Sequence, residues 1–266
     1  MPDLLDYVTL CLAAVVAGAV NSVAGGGTLL TFPLLFAVLG GSAPAAVMAN
    51  ATSTVALFPG SLAAMAGYRR ELRAASGLAL LLLGPSLLGG LLGALLLTQL
   101  PASSFEVLVP WLILTAAMLF WLQPRIGQWT GVGQRVDWGR HGRVTAILFQ
   151  LLVAIYGGYF GAGIGILMLS ALAMMGMSDI HQMNALKTLF ASCINGVAVV
   201  VFIAEGKVHW PLALAMAASA IAGGYGGALL ARRLDRNLVR RGVVLIGFCL
   251  ACYYFYRQLD ITGRDA

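Results

Sequence analysis

Residues 75–97 run for 23 positions without a charged side chain, and segments of this kind recur along the whole chain. Roughly 20 apolar residues in helical form cross a ~30 Å hydrocarbon core. Lipid supplies no water to backbone N–H and C=O groups, so each such segment must satisfy its own backbone as a helix. The segments fall at 4–23, 28–39, 44–67, 75–97 and 105–122, and again at 144–160, 164–175, 182–204, 210–231 and 241–257. Hydrophobic residues make up 60% of the chain and charged residues 10%, far from a soluble domain at about 25% charged. The reading is an all-α integral membrane protein lodged in a bilayer.

Two segments, 28–39 and 164–175, are only twelve residues long, about 18 Å as helix. They are half-helices or re-entrant limbs, which leaves about 8 full transmembrane helices. Each follows a polar, glycine-rich break: Asn21-Ser22-Val23-Ala24-Gly25-Gly26-Gly27-Thr28 in the first case, Gly157-Gly158-Tyr159-Phe160-Gly161-Ala162-Gly163-Ile164-Gly165 in the second. Paired interruptions at corresponding places in two halves of a membrane protein point to a transport site.

Basic residues set the orientation. Arg69, Arg70 and Arg73 lie in connector 68–74, Arg125, Arg135, Arg140 and Arg143 in 123–143, and Arg232, Arg233, Arg236, Arg240 and Arg241 in 232–241. Connector 98–104 has no basic residue, and 205–209 has Lys207 beside Glu205. Placing the arginine-rich connectors in the cytoplasm puts the N-terminus outside and inverts the second five segments relative to the first. Arg257 and Arg264, outside, go mildly against that rule. The net charge of +6 is thereby a topology signal and not a nucleic-acid footprint. The expected organisation is a first transmembrane repeat over 1–122, a basic cytoplasmic connector over 123–143 and a second repeat over 144–266. Asp3 and Asp6, with no nearby Lys or Arg, make the N-terminus a first membrane helix and not a signal peptide.

A register supports two inverted repeats. A shift of 134 residues aligns Asn50 with Asn184, Ala51 with Ala185, Thr54 with Thr188, Glu71 with Glu205, Gly89 and Gly90 with Gly223 and Gly224, and Gly93 with Gly227. A further two residues align Gly25 with Gly161 and Gly27 with Gly163. Gly89-Gly90-x-x-Gly93 and its counterpart fit close helix packing.

The candidate binding residues follow from these breaks. Asn21 borders the first; Gly25, Gly26, Gly27, Gly161 and Gly163 free backbone N–H groups at helix starts, where partial positive charge attracts anions, and Thr28 opens the first short helix. Asn50, Thr52 and Ser53 crowd the next helix, as Asn184, Lys187 and Thr188 do in the second half. Asn195 is a further candidate for the cavity wall. Polar groups here can also serve as glue between helices. Lys187 is one of only two lysines, and a charge inside a membrane helix faces the protein interior and marks a pathway by default; from a shallow depth it could instead snorkel to the surface. No Asp or Glu falls mid-segment; Glu106 and Glu205 stand at segment ends. Proton coupling would then need another path, such as a proton carried on the substrate. Cys249 and Cys252 form a C-x-x-C without further ligands and read as inert core residues. No cofactor or metal is implied, and nothing suits an intramembrane enzyme.

At these residues the chain resembles the sulfite exporter TauE/SafE family of bacterial permeases. The matching stretches are Ala24-Gly25-Gly26-Gly27-Thr28-Leu29-Leu30-Thr31-Phe32-Pro33-Leu34-Leu35 and Ala49-Asn50-Ala51-Thr52-Ser53, then Gly161-Ala162-Gly163-Ile164-Gly165 and Asn184-Ala185-Leu186-Lys187-Thr188. Ala162 and Met168 depart from the expected glycine and proline. The resemblance implies export of a small anion, sulfite or an organosulfonate, across the bacterial inner membrane by a secondary transporter. A passive anion channel on the same scaffold is the alternative, and a homodimer is compatible with either.

Overall fold

The computed structural model describes residues 2–23, 25–67, 71–72, 76–129, 140–175, 177, 179–230 and 236–264. Arg69, Arg70, Arg73, Arg135, Arg232 and Arg233, on which much of the orientation rests, lie outside the described residues. Among those described there are ten principal helices and no strand: α1 (Leu4–Val23), α2 (Thr28–Val38), α3 (Ala43–Gly67), α4 (Ser76–Gln99), α5 (Ala102–Trp129), α6 (Arg140–Tyr159), α7 (Ile164–Met174), α8 (Ile180–Ala204), α9 (Trp210–Leu230) and α10 (Arg236–Arg264). Windows in α1, α4, α5 and α8 are long and apolar enough to cross a membrane: Leu4–Asn21, Gly77–Gln99, Ala102–Leu122 and His181–Ala204. The two short segments are helices of 11 residues each, about 16 Å long.

Three helices outrun their apolar segments. The expected 105–122 becomes Ala102–Trp129, 144–160 becomes Arg140–Tyr159, and 241–257 becomes Arg236–Arg264. Hydropathy marks only the part of a helix that lipid touches, whereas the backbone ladder continues into polar surroundings. Asp179 starts α8 as a cap, its side chain accepting the N–H groups of His181 at 2.8 Å and Gln182 at 3.4 Å, which satisfies two of the orphan donors of the first turn.

Glycines set the closest helix contacts. A Cβ on Gly18 would run into Ala220 and Gly224, and one on Gly223 into the backbone of Val15. Cβ atoms on Gly89 and Gly93 would strike Leu151, Ala154, Ile155 and Tyr159. So α1 lies against α9 and α4 against α6, backbone on backbone. Contacts advance along both partners together, Cys11 with Ala215 before Gly18 with Gly224, and Ser86 with Gln150 before Gly93 with Tyr159; both pairs run parallel. Helix α3 packs on α9, and α4 packs on α8. Exchanging each of the first five helices for its counterpart in the second five turns α1–α9 into α6–α4 and α3–α9 into α8–α4.

Midway along α2, Phe32 meets Phe105 at 6.2 Å and Phe160 at 5.6 Å, both edge-on. Arg257 on α10 donates to the carbonyl of Gly41, just beyond α2, and its guanidinium lies 4.9 Å from the Phe36 ring centre. The arginine that went against the charge rule is thus a tie between α10 and the α2–α3 turn. Cys249 and Cys252 are exposed on α10, which corrects their reading as core residues: an apolar helix packed along one face leaves its other apolar side chains outside.

Candidate functional site

The two glycine breaks are built alike. Gly25 and Gly161 have φ of 71° and 79°, the left-handed region that glycine adopts without steric cost. Each donates its N–H to the carbonyl five residues back, Gly25 to Val20 and Gly161 to Tyr156, both at 3.2 Å. The far ends of α2 and α7 repeat the device, Gly41 donating to Phe36 at 2.9 Å and Met177 to Leu172 at 3.2 Å. In all four cases the second-half residue is 136 positions after the first.

These bonds change what the breaks can offer a ligand. The N–H of Gly25 is used by Val20, and that of Gly26 by the side-chain oxygen of Asn21 at 3.3 Å. Asn21 also donates its amide to Ser61 Oγ on α3 at 3.2 Å. It therefore straps the first break to α3. In the second break the Tyr156 hydroxyl donates to the carbonyl of Ala162 at 2.6 Å.

The breaks meet around one cavity of about 40 Å³, lined on the first-half side by Asn21, Gly25, Thr28, Thr54, Leu57 and Ser61, and on the second by Gly161, Ile164, Gly165, Lys187, Thr188, Ala191 and Asn195. Such a volume holds about three waters or one small ion. Five pairs in this lining are register counterparts: Gly25 and Gly161, Thr28 and Ile164, Thr54 and Thr188, Leu57 and Ala191, Ser61 and Asn195. Thr28 and Ile164 are the first residues of α2 and α7, so two helix N-termini open onto the same space. Lys187 is 4% exposed and lines it too; it does not snorkel. It carries the one formal charge among the described lining residues. The hydroxyls of Thr54 and Thr188 donate four residues back, to Asn50 at 2.9 Å and Asn184 at 2.8 Å, and so turn oxygen lone pairs outward from their helices.

Of the residues singled out in the sequence, Asn21, Gly25, Thr28, Gly161, Lys187, Thr188 and Asn195 come together at this cavity. The rest are used elsewhere. Gly26 faces the ring of Phe120, Gly27 the backbone of Ala17, and Gly163, at φ 75°, the side of Ala116. Asn50 donates to the carbonyl of Tyr159 at 3.1 Å, joining α3 to the end of α6. Thr52 accepts the N–H of His209 at 3.0 Å, and Ser53 pairs with Thr31 on α2 at 2.5 Å. Asn184 serves through its backbone carbonyl. Thr54 and Ser61 reach the cavity although neither was among the binding candidates; Thr54 aligns with Thr188, which was one, and Ser61 aligns with Asn195.

The description sulfite exporter TauE/SafE matches residues 10–254. The chain belongs to that family. Among curated proteins it is similar to a "Probable membrane transporter protein" of Haemophilus influenzae, 28% identical over 91% of this chain and 92% of the relative. A "Probable membrane transporter protein ORF9" of a Sinorhizobium species is 29% identical over 91% and 89%, and the YfcA "Probable membrane transporter protein" of Escherichia coli is 26% identical over 96% and 91%. No solved structure gives a significant match. With its apolar helices, the chain is a multi-pass membrane protein of a transporter family.

Proposed function

We propose that the chain is a secondary transporter that moves a small oxoanion, sulfite or an organosulfonate, out across the bacterial inner membrane. The observation that carries this reading is the shared cavity, where a buried lysine and the N-termini of two half-helices converge. Lys187 offsets the anion's charge, while the helix starts contribute partial positive charge. Thr28, Thr188 and Asn195 supply side-chain hydrogen bonds, and hydroxyl rotation lets Thr188 donate to a bound oxygen. Charge-assisted bonds of this kind are about twice as strong as neutral ones.

The proposed architecture is two inverted repeats, 1–122 and 144–266, joined by a cytoplasmic connector, with about eight full spans and two half-helices. The matched caps, the paired cavity lining and the exchange of helix contacts all support it. Rocking of one half against the other would expose the cavity to each side in turn. The membrane potential, negative inside, already favours anion exit by about 2.3 kcal/mol per charge per 100 mV, so no intramembrane carboxylate relay is needed.

The test is flux in proteoliposomes. Lys187→Ala should cut uptake of sulfite or a short sulfonate by on the order of tenfold or more, with Lys187→Arg retaining part of it. Unchanged flux in Lys187→Ala would sink the assignment. Trans-stimulation by substrate on the far side is expected of a carrier; its absence would favour a channel.

A further inference from the structure

A second cavity, of about 180 Å³, lies at the opposite end of α2 from the glycine break, walled by Phe36, Val107, Val109, Pro110 and Tyr254 with Ser103, Glu106, Arg257 and Gln258 as its polar members. Two of these are charged and of opposite sign, yet Glu106 and Arg257 form no ion pair with each other. The guanidinium is held back by two contacts: it donates to the carbonyl of Gly41 and lies over the ring of Phe36, 4.9 Å from its centre. Glu106 sits in the first turns of α5, fixed by that helix. Both residues are half-buried. The result is a cation and an anion lining one space whose other walls are largely apolar.

We propose that this cavity binds a small zwitterion, a molecule with an ammonium at one end and an acid group at the other. Arg257 has guanidinium N–H donors beyond the one given to Gly41 and presents them to the acid group in a planar fork. Glu106 accepts from the ammonium. Ser103 and Gln258 complete the polar rim, and the short apolar linker of the ligand packs on Val107, Val109 and Pro110. A ligand with one charge would satisfy one wall and leave the other charge facing it uncompensated, so recognition is of the pair. The site shares no lining residue with the Lys187 cavity and does not depend on the transport reading.

Calorimetric titration of the purified full-length protein in detergent tests this with glycine and β-alanine as zwitterions, acetate and methylammonium as single-charge controls. The zwitterions should bind and the controls should not. Arg257→Gln and Glu106→Gln should each weaken binding on the order of tenfold or more, whereas Lys187→Gln should leave it unchanged. Because Arg257→Gln also removes the tie to Gly41, Val107→Phe provides a variant that fills the cavity and keeps the tie; it too should lose binding. Equal binding of acetate or methylammonium would overturn the proposal. So would binding that survives Val107→Phe, or no heat with either zwitterion, which would mean a cavity occupied by water alone.

Discussion

Gly25 and Gly165, one from each glycine break, touch so closely that a Cβ on Gly25 would lie 3.3 Å from the Gly165 Cα. Gly25 is also at φ 71°. Gly25→Ala therefore meets two obstacles, the left-handed backbone, worth about 1–2 kcal/mol, and the facing chain. Loss of thermal stability in detergent together with loss of flux is expected. Gly226→Ala is the control, since a Cβ there meets nothing within 4 Å; in a helix interior it should be neutral or stabilising by up to about 1 kcal/mol.

Asn21 holds the first break through Gly26 and holds α3 through Ser61. Asn21→Ala leaves the Gly26 N–H without its acceptor in a buried setting. A stability loss of roughly 0.5–2 kcal/mol is expected, with a larger effect on transport rate than on apparent affinity if Asn21 positions the break instead of gripping substrate. Ser61→Ala, which removes only one of these contacts, should be milder. A rise in KM with an unchanged maximal rate in Asn21→Ala would instead make Asn21 a direct ligand.

The double break and the buried lysine were legible in the sequence because lipid makes them costly: neither a glycine run nor an ammonium survives in a membrane helix without a reason. The face of α3 that meets the cavity was not legible. Asn50, Thr52, Ser53 and Thr54 span every side of one helical turn, and Ser61, two turns after Thr54, is the one further polar side chain of the helix, too short a stripe to mark the inward side against them. Packing decides it: α2 takes Ser53, the segment before α9 takes Thr52, the end of α6 takes Asn50, and Thr54 is left for the cavity. Likewise the glycine amides looked available in sequence, but helix termination uses those of Gly25 and Gly161 and the Asn21 side chain takes that of Gly26.

Gly93 and Gly223 test the two glycine-lined contacts between the halves. A Cβ on Gly93 would enter the carbonyl of Ile155, and one on Gly223 that of Val15. Neither neighbour is a flexible side-chain end that could swing aside. Gly93→Ala and Gly223→Ala should each destabilise by about 1–3 kcal/mol, read as a lower melting temperature. Near-equal losses would match the equivalence of the α4–α6 and α1–α9 contacts; a neutral effect in either would show that the helices can separate there at little cost.

The register places Ser53 opposite Lys187, which would allow the charge to be moved from one half to the other if the halves were interchangeable. The surroundings argue otherwise. Ser53 is fully buried and paired with Thr31, and it does not line the cavity. A lysine there would have to displace α2 to reach the space that Lys187 fills from α8. The double variant Ser53→Lys with Lys187→Ser should therefore fail to recover flux and should melt earlier than Lys187→Ser alone. Recovery of transport by the swap would show that Lys187 supplies charge without regard to position, and would remove the geometric basis for assigning the anion to this cavity.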